Sequence, residues 1–93
     1  NDKLHGVAKR YYENGNVEYE IPYKKGKQHG IEKWYYENGN LKREIPYEND
    51  KLHGVKKKYD ENGKLKHKKI YRNGIEMPLK RWRHLFSYIF RKG

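Results

Sequence analysis

The chain repeats itself every 24 residues, and no other feature restricts its fold as strongly. His5-Gly6, His29-Gly30 and His53-Gly54 recur at that interval, as do Glu13-Asn14-Gly15, Glu37-Asn38-Gly39 and Glu61-Asn62-Gly63, and the single residues Tyr23, Tyr47 and Tyr71. A fixed period of this length belongs to repeat architectures, in which each unit is one small supersecondary element that buries its apolar side only by stacking on its neighbours.

Within each unit, two runs rich in Tyr and β-branched residues have strand character: Ile31 to Tyr36 and Leu41 to Tyr47 in the central one. The turns between runs share a pattern. Tyr12-Glu13-Asn14-Gly15, Tyr36-Glu37-Asn38-Gly39, Tyr23-Lys24-Lys25-Gly26 and Tyr71-Arg72-Asn73-Gly74 all read as three-residue hairpin loops whose glycine takes a left-handed bulge position. Asp50 replaces that glycine once, at some conformational cost. Such loops place Tyr35 opposite Leu41 and Ile31 opposite Ile45. Odd-numbered residues, among them Tyr19, Tyr35, Ile45 and Tyr47, then share an apolar face. The opposite face is charged, with Tyr12, Trp34 and Tyr36 as aromatic exceptions. The expected fold is mainly β: an antiparallel meander of stacked hairpins, about six strands, over residues 1–77. Pro22 and Pro46 mark equivalent points where a ladder bond must be missing.

Ile, Leu, Val and Phe number only 17 of 93 residues, and with a net charge of +11 this balance on its own suggests disorder. Ten Tyr and two Trp, in register with the repeat, supply the apolar area that such a count overlooks. There is no cysteine, which removes disulfides and thiolate chemistry, and no apolar run long enough to span a membrane as a helix. Aligned by the repeat, Asn1 falls inside a turn, so the natural chain is expected to extend upstream.

The third repeat departs from the other two in a way that suits a terminal unit. Asp60 stands in place of Tyr12 and Tyr36, Lys69 in place of Ile21 and Ile45, and Met77-Pro78 ends the His-Gly series. From Leu79 the period changes: Leu79, Trp82, Leu85, Phe86, Ile89 and Phe90 recur at three and four, predicting a basic amphipathic α-helix over residues 78–93. It reads either as a cap on the sheet or as a helix that docks on a membrane surface or a partner.

The residues resemble the MORN repeats, and most closely their bacterial variant with the pattern Tyr-Tyr-x-Asn-Gly-x-Leu followed by Tyr-x-Asn-Gly-Lys-x-His-Gly. Tyr35-Tyr36-Glu37-Asn38-Gly39-Asn40-Leu41 matches the first half. Tyr23-Lys24-Lys25-Gly26-Lys27-Gln28-His29-Gly30 and the segment from Tyr47 to Gly54 match the second, apart from Lys25 and Asp50. The resemblance covers Asn1 to about Gly74 and leaves out the C-terminal stretch. It implies an elongated sheet that serves as a binding or scaffolding module without catalysis. For the bacterial variant it implies an antitoxin or immunity-like role toward a toxin, and for eukaryotic relatives acidic phospholipids and membrane tethering.

Candidate chemistry is sparse. Equivalent residues of His5, His29 and His53 lie two strands apart, roughly 10 Å, too far to share a zinc ion with ligands about 2 Å away. The turn carboxylates Glu37 and Glu61 suit turn formation better than acid–base work, Ser87 is the only serine, and no phosphate-binding loop or cofactor motif occurs. No catalytic residue, cofactor or metal is therefore expected. The basic charge favours an acidic partner: a protein first, an acidic lipid surface second, nucleic acid third. Tyr12, Trp34, Tyr36, Lys58, Arg81, Trp82 and Arg83 are the candidate partner-binding residues. Unpaired strand edges at the array ends allow an end-to-end homodimer.

Overall fold

Two kinds of hairpin alternate along the chain, and their different lengths build the sheet. In the computed structural model, which describes residues 5–78, Tyr12, Tyr36 and Asp60 open three-residue loops: Gly39 N donates to Tyr36 O (2.9 Å) and Tyr36 N to Asn40 O (2.8 Å). The second kind, expected to match the first, is a two-residue turn. Lys25 and Gly26, Asn49 and Asp50, and Asn73 and Gly74 all have positive φ, the conformation whose twist suits a tight hairpin.

Nine strands result among the described residues, joined into one antiparallel sheet. Six are long: β1 (Gly6–Tyr11), β2 (Val17–Lys24), β4 (Gly30–Tyr35), β5 (Leu41–Glu48), β7 (Gly54–Tyr59) and β8 (Leu65–Arg72). Three are short: β3 (Lys27–Gln28), β6 (Lys51–Leu52) and β9 (Ile75–Met77). The expected count of about six is corrected to nine because the His-Gly step cuts the run after each of the first two tight turns in two, and a further short strand follows the third. Tyr23 pairs with Gln28 and Glu20 with Lys33, so two extra residues are absorbed between the ladders, beside Pro22. At this break His29 N donates to Pro22 O (3.2 Å). Gly30 has φ +116 and a Cβ there would lie 3.0 Å from Pro22 Cγ; Gly54 repeats the arrangement against Pro46. Proline and glycine are thus two halves of one bend. In the third repeat Ile70 and Pro78 exchange the roles, Ile70 keeps its N–H, and the ladder runs on to the pair Ile70↔Met77.

The stated parity of the faces is also corrected. Tyr35 does pair with Leu41, but a bulge then shifts the register so that Glu32, not Ile31, faces Ile45. The same shift follows Arg10 and Lys58. Trp34 therefore shares a face with Tyr19, Ile45 and Tyr47, whereas Tyr35 lies on the other. Ile31, freed from the apolar face, is exposed.

Repeats are tied together by side chains that reach the next turn. Asn14 and Asn16 Nδ2 both donate to Glu37 O (2.9 and 2.8 Å), and Asn38 and Asn40 to Glu61 O (3.1 and 2.8 Å). Tyr12 and Tyr36 hydroxyls donate to the carbonyls of Tyr35 and Tyr59. Asp60 instead turns inward, its Oδ1 accepting from the N–H groups of Asn62 and Lys64 (both 2.9 Å). These bonds hold the Asp60 carboxyl below the usual carboxylate range, the Lys64 N–H most of all.

The core is thin: Ile45 and Ile70 are the buried apolar side chains and Glu32 the buried charged one among the described residues. A single-layer sheet of this size hides little on its own. The described residues contain no helix, so the observed fold is an all-β sheet rather than a sheet with a terminal helix. The helix expected over 78–93 lies, apart from Pro78, outside the described residues.

Candidate functional site

Pairing carries one residue of each long strand into a single line across the sheet. Arg10 pairs with Tyr19, Tyr19 with Trp34, Trp34 with Arg43, Arg43 with Lys58 and Lys58 with His67. Opposed residues on one face are neighbours at roughly 5 Å, so this row is a continuous strip of side chains. Its centre is aromatic: the Tyr19 and Trp34 rings lie 4.8 Å apart, tilted by 45°, and the Arg43 guanidinium carbon sits 5.2 Å from the Trp34 ring centroid. Trp34 Nε1 donates to the Glu32 carboxylate, which fixes the indole. Arg10 is paired with Glu18 (3.4 Å) at the outer end.

The opposite face carries a second row, Lys9, Glu20, Lys33, Glu44, Lys57 and Lys68, with each pairing again between direct neighbours. Here charges alternate in sign and meet one another, Lys9 and Glu20 at 3.6 Å. Tyr35 donates to Glu20 and Tyr59 to Glu44 (both 2.9 Å), bonds that use the carboxylates further. Burial, then the bond and the charge of Glu20, push the Tyr35 hydroxyl up to about 12. Signs thus alternate along one face until Lys68 follows Lys57, and the other carries aromatic rings continued by cations.

Of the expected partner-binding residues, Trp34 and Lys58 fall on the aromatic–cationic row, separated by Arg43. Tyr12 and Tyr36 lie at the turns with their hydroxyls bonded between repeats, and Lys42 Nζ stands 5.4 Å from the Tyr36 ring centroid. Arg81, Trp82 and Arg83 lie outside the described residues. His5 and His53 accept backbone N–H bonds at Nδ1, from Lys25 (3.4 Å) and Asn73 (3.2 Å), a structural use beside the tight turns. Tyr19, Arg43 and His67 were not singled out from the sequence. Their signal was present, since Tyr19, Arg43 and His67 are one repeat position, but it becomes visible only once the bulge is counted.

Comparison with known families matches the MORN repeat variant three times, over residues 4–25, 28–49 and 52–73. The chain belongs to the MORN repeat variant family. Three matched units separated by two-residue gaps reproduce the 24-residue period, and the MORN repeats account for every long strand. No curated protein and no solved structure matches the chain. MORN repeats are in general non-catalytic modules for interaction with proteins or membranes.

Proposed function

We propose that the face carrying Trp34 docks a protein with an acidic surface, as a bacterial antitoxin or immunity-type protein holds its toxin. The observation that carries this reading is the strip Tyr19–Trp34–Arg43–Lys58, aromatic rings continued by cations on one face. Trp, Tyr and Arg supply most of the binding energy at protein interfaces because they combine large apolar area with directed polar groups. Half-buried Trp34, held by Glu32 and stacked between Tyr19 and Arg43, loses little freedom on binding. Affinity purification from the native source with the wild-type chain recovers one stoichiometric acidic protein; Trp34→Ala or Lys58→Glu abolishes recovery. Equal recovery by both variants refutes the reading.

The uneven charge supports a second reading, an acidic phospholipid surface. Residues 54–77 hold eight Lys and Arg against three carboxylates, whereas residues 30–53 hold four against five. Flotation with anionic and neutral vesicles at physiological salt separates the two, since equal recovery with both removes the lipid reading.

A further inference from the structure

In the third repeat the apolar face turns cationic, and its charges are not matched from within. Lys56 stands where Glu32 does, Lys58 where Trp34 does, His67 where Tyr19 and Arg43 do, and Lys69 where Ile21 and Ile45 do. Register sets Lys56 against Lys69 and Lys58 against Arg43, so like charges face each other directly at roughly 5 Å, and His67 stands opposite Lys58 on its other side. Among the described residues none of these five side chains makes an ion pair; the carboxylates that do pair are Glu18, Glu20, Glu48 and Asp60. Residues 79–93 contain no Asp or Glu to supply one.

Two further observations point to a ligand. The five residues line a depression of about 340 Å³, which Lys57 and Lys68, members of the opposite-face row, also border. The guanidinium of Arg43, one of the lining residues, is pinned over Trp34, and its Nε is buried without a hydrogen-bond partner. Held in this way, the arginine loses little freedom on meeting an acceptor. We infer that Arg43, Lys56, Lys58, His67 and Lys69 form a site for a group bearing two or more phosphates. Carboxylates spaced along an extended peptide recur on one side about every 7 Å. Linked phosphates place the same charge within a few ångströms, which suits cations packed this densely, and the planar fork of an arginine bonds phosphate oxygens in pairs. The inference is independent of any protein partner.

The probe is inorganic tripolyphosphate, titrated calorimetrically into the isolated chain at physiological ionic strength. One saturable site is expected, with a rise in thermal midpoint as the opposed charges are relieved. Lys56→Ala with Lys69→Ala weakens binding at least about tenfold, while Lys24→Ala with Lys25→Ala, removing equal charge from the β2–β3 turn, changes it less than about twofold. Arg43→Lys keeps the charge and, by losing the fork, weakens binding about tenfold. Equal losses in the two double variants, no loss with Arg43→Lys, or binding without saturation overturns the site. Vesicles bearing phosphorylated headgroups, added as competitor, distinguish the sources: displacement of tripolyphosphate places the group on a membrane, and none places it on a soluble molecule.

Discussion

The hydroxyl of Tyr36 donates to the backbone carbonyl of Tyr59, 2.7 Å away and one repeat further along, and so joins two hairpins that share no turn. Tyr12 does the same toward Tyr35. Where no further repeat lies beyond among the described residues, the position is Asp60, which bonds within its own loop. The link is one part-buried hydrogen bond, so Tyr36→Phe costs about 1 kcal/mol. Urea denaturation of the two proteins measures it, and an unchanged midpoint would show that the stacking does not depend on the bond.

Proline and glycine at the bend are coupled by contact as well as by φ. A Cβ at Gly54 would lie 3.1 Å from both Pro46 Cβ and Cγ with φ at +124, whereas at Gly6 (φ +95) it meets nothing within 4 Å. Gly54→Ala is therefore expected to destabilise by about 2 kcal/mol or more, and Gly6→Ala by about 1 kcal/mol. Thermal unfolding of both variants checks the difference, which disappears if only backbone conformation matters.

Alkaline pH acts on the charged face. Burial chiefly, then Glu20, raises the Tyr35 hydroxyl to about 12, and burial with Glu44 raises Tyr59 in the same direction. The folded state favours the neutral phenol, so this contribution is fully present below pH 10, the ordinary tyrosine value, and is lost as pH rises toward 12. Wild-type stability should fall across that window, and Tyr35→Phe should fall less steeply. Parallel slopes for the two proteins would mean that Tyr35 does not report the loss.

The repeat, its hairpins and the pairing of Tyr35 with Leu41 were legible in the sequence because they follow from periodicity and from the Asn-Gly turn. Which side each residue takes was not. A bulge beside Tyr35 moves every later partner by one, and nothing in the residues Leu41-Lys42-Arg43 announces it. The same slip hid the strip through Arg10, Tyr19, Trp34, Arg43, Lys58 and His67, whose members change parity from strand to strand. The tight turns were misjudged for a related reason, since Lys25 and Asn49 take positive φ although neither is glycine. Asp50 was expected to cost stability at such a position, yet its Oδ1 accepts from Gln28 N (2.7 Å) and offsets that cost with a bond glycine could not make.

Trp34 is the anchor of the exposed strip, and truncating it removes the ring contacts with Tyr19 and Arg43 and leaves the Glu32 carboxylate without its indole donor. Trp34→Ala is expected to cost about 2 kcal/mol, less than in a closed core because the ring is only half buried. Trp34→Phe keeps most of the packing and loses the bond to Glu32. A smaller loss for Phe than for Ala, by chemical denaturation, separates packing from hydrogen bonding.

The third repeat exchanges stability for charge, and reversing the exchange tests both. Lys56→Glu with Lys69→Ile restores the residues that face each other as Glu32 and Ile45 in the second repeat. The substitution replaces an opposed pair of like charges, and Lys58 and Arg43 gain a carboxylate on their own face. An increase of about 1 kcal/mol in unfolding free energy is expected, with a matching rise in thermal midpoint. The same variant should lose tripolyphosphate binding, because the added carboxylate occupies the cations that would meet the phosphates. A variant that still binds would mean that the opposed lysines are not part of the anion site, and one that gains no stability would mean that they are not strained against one another.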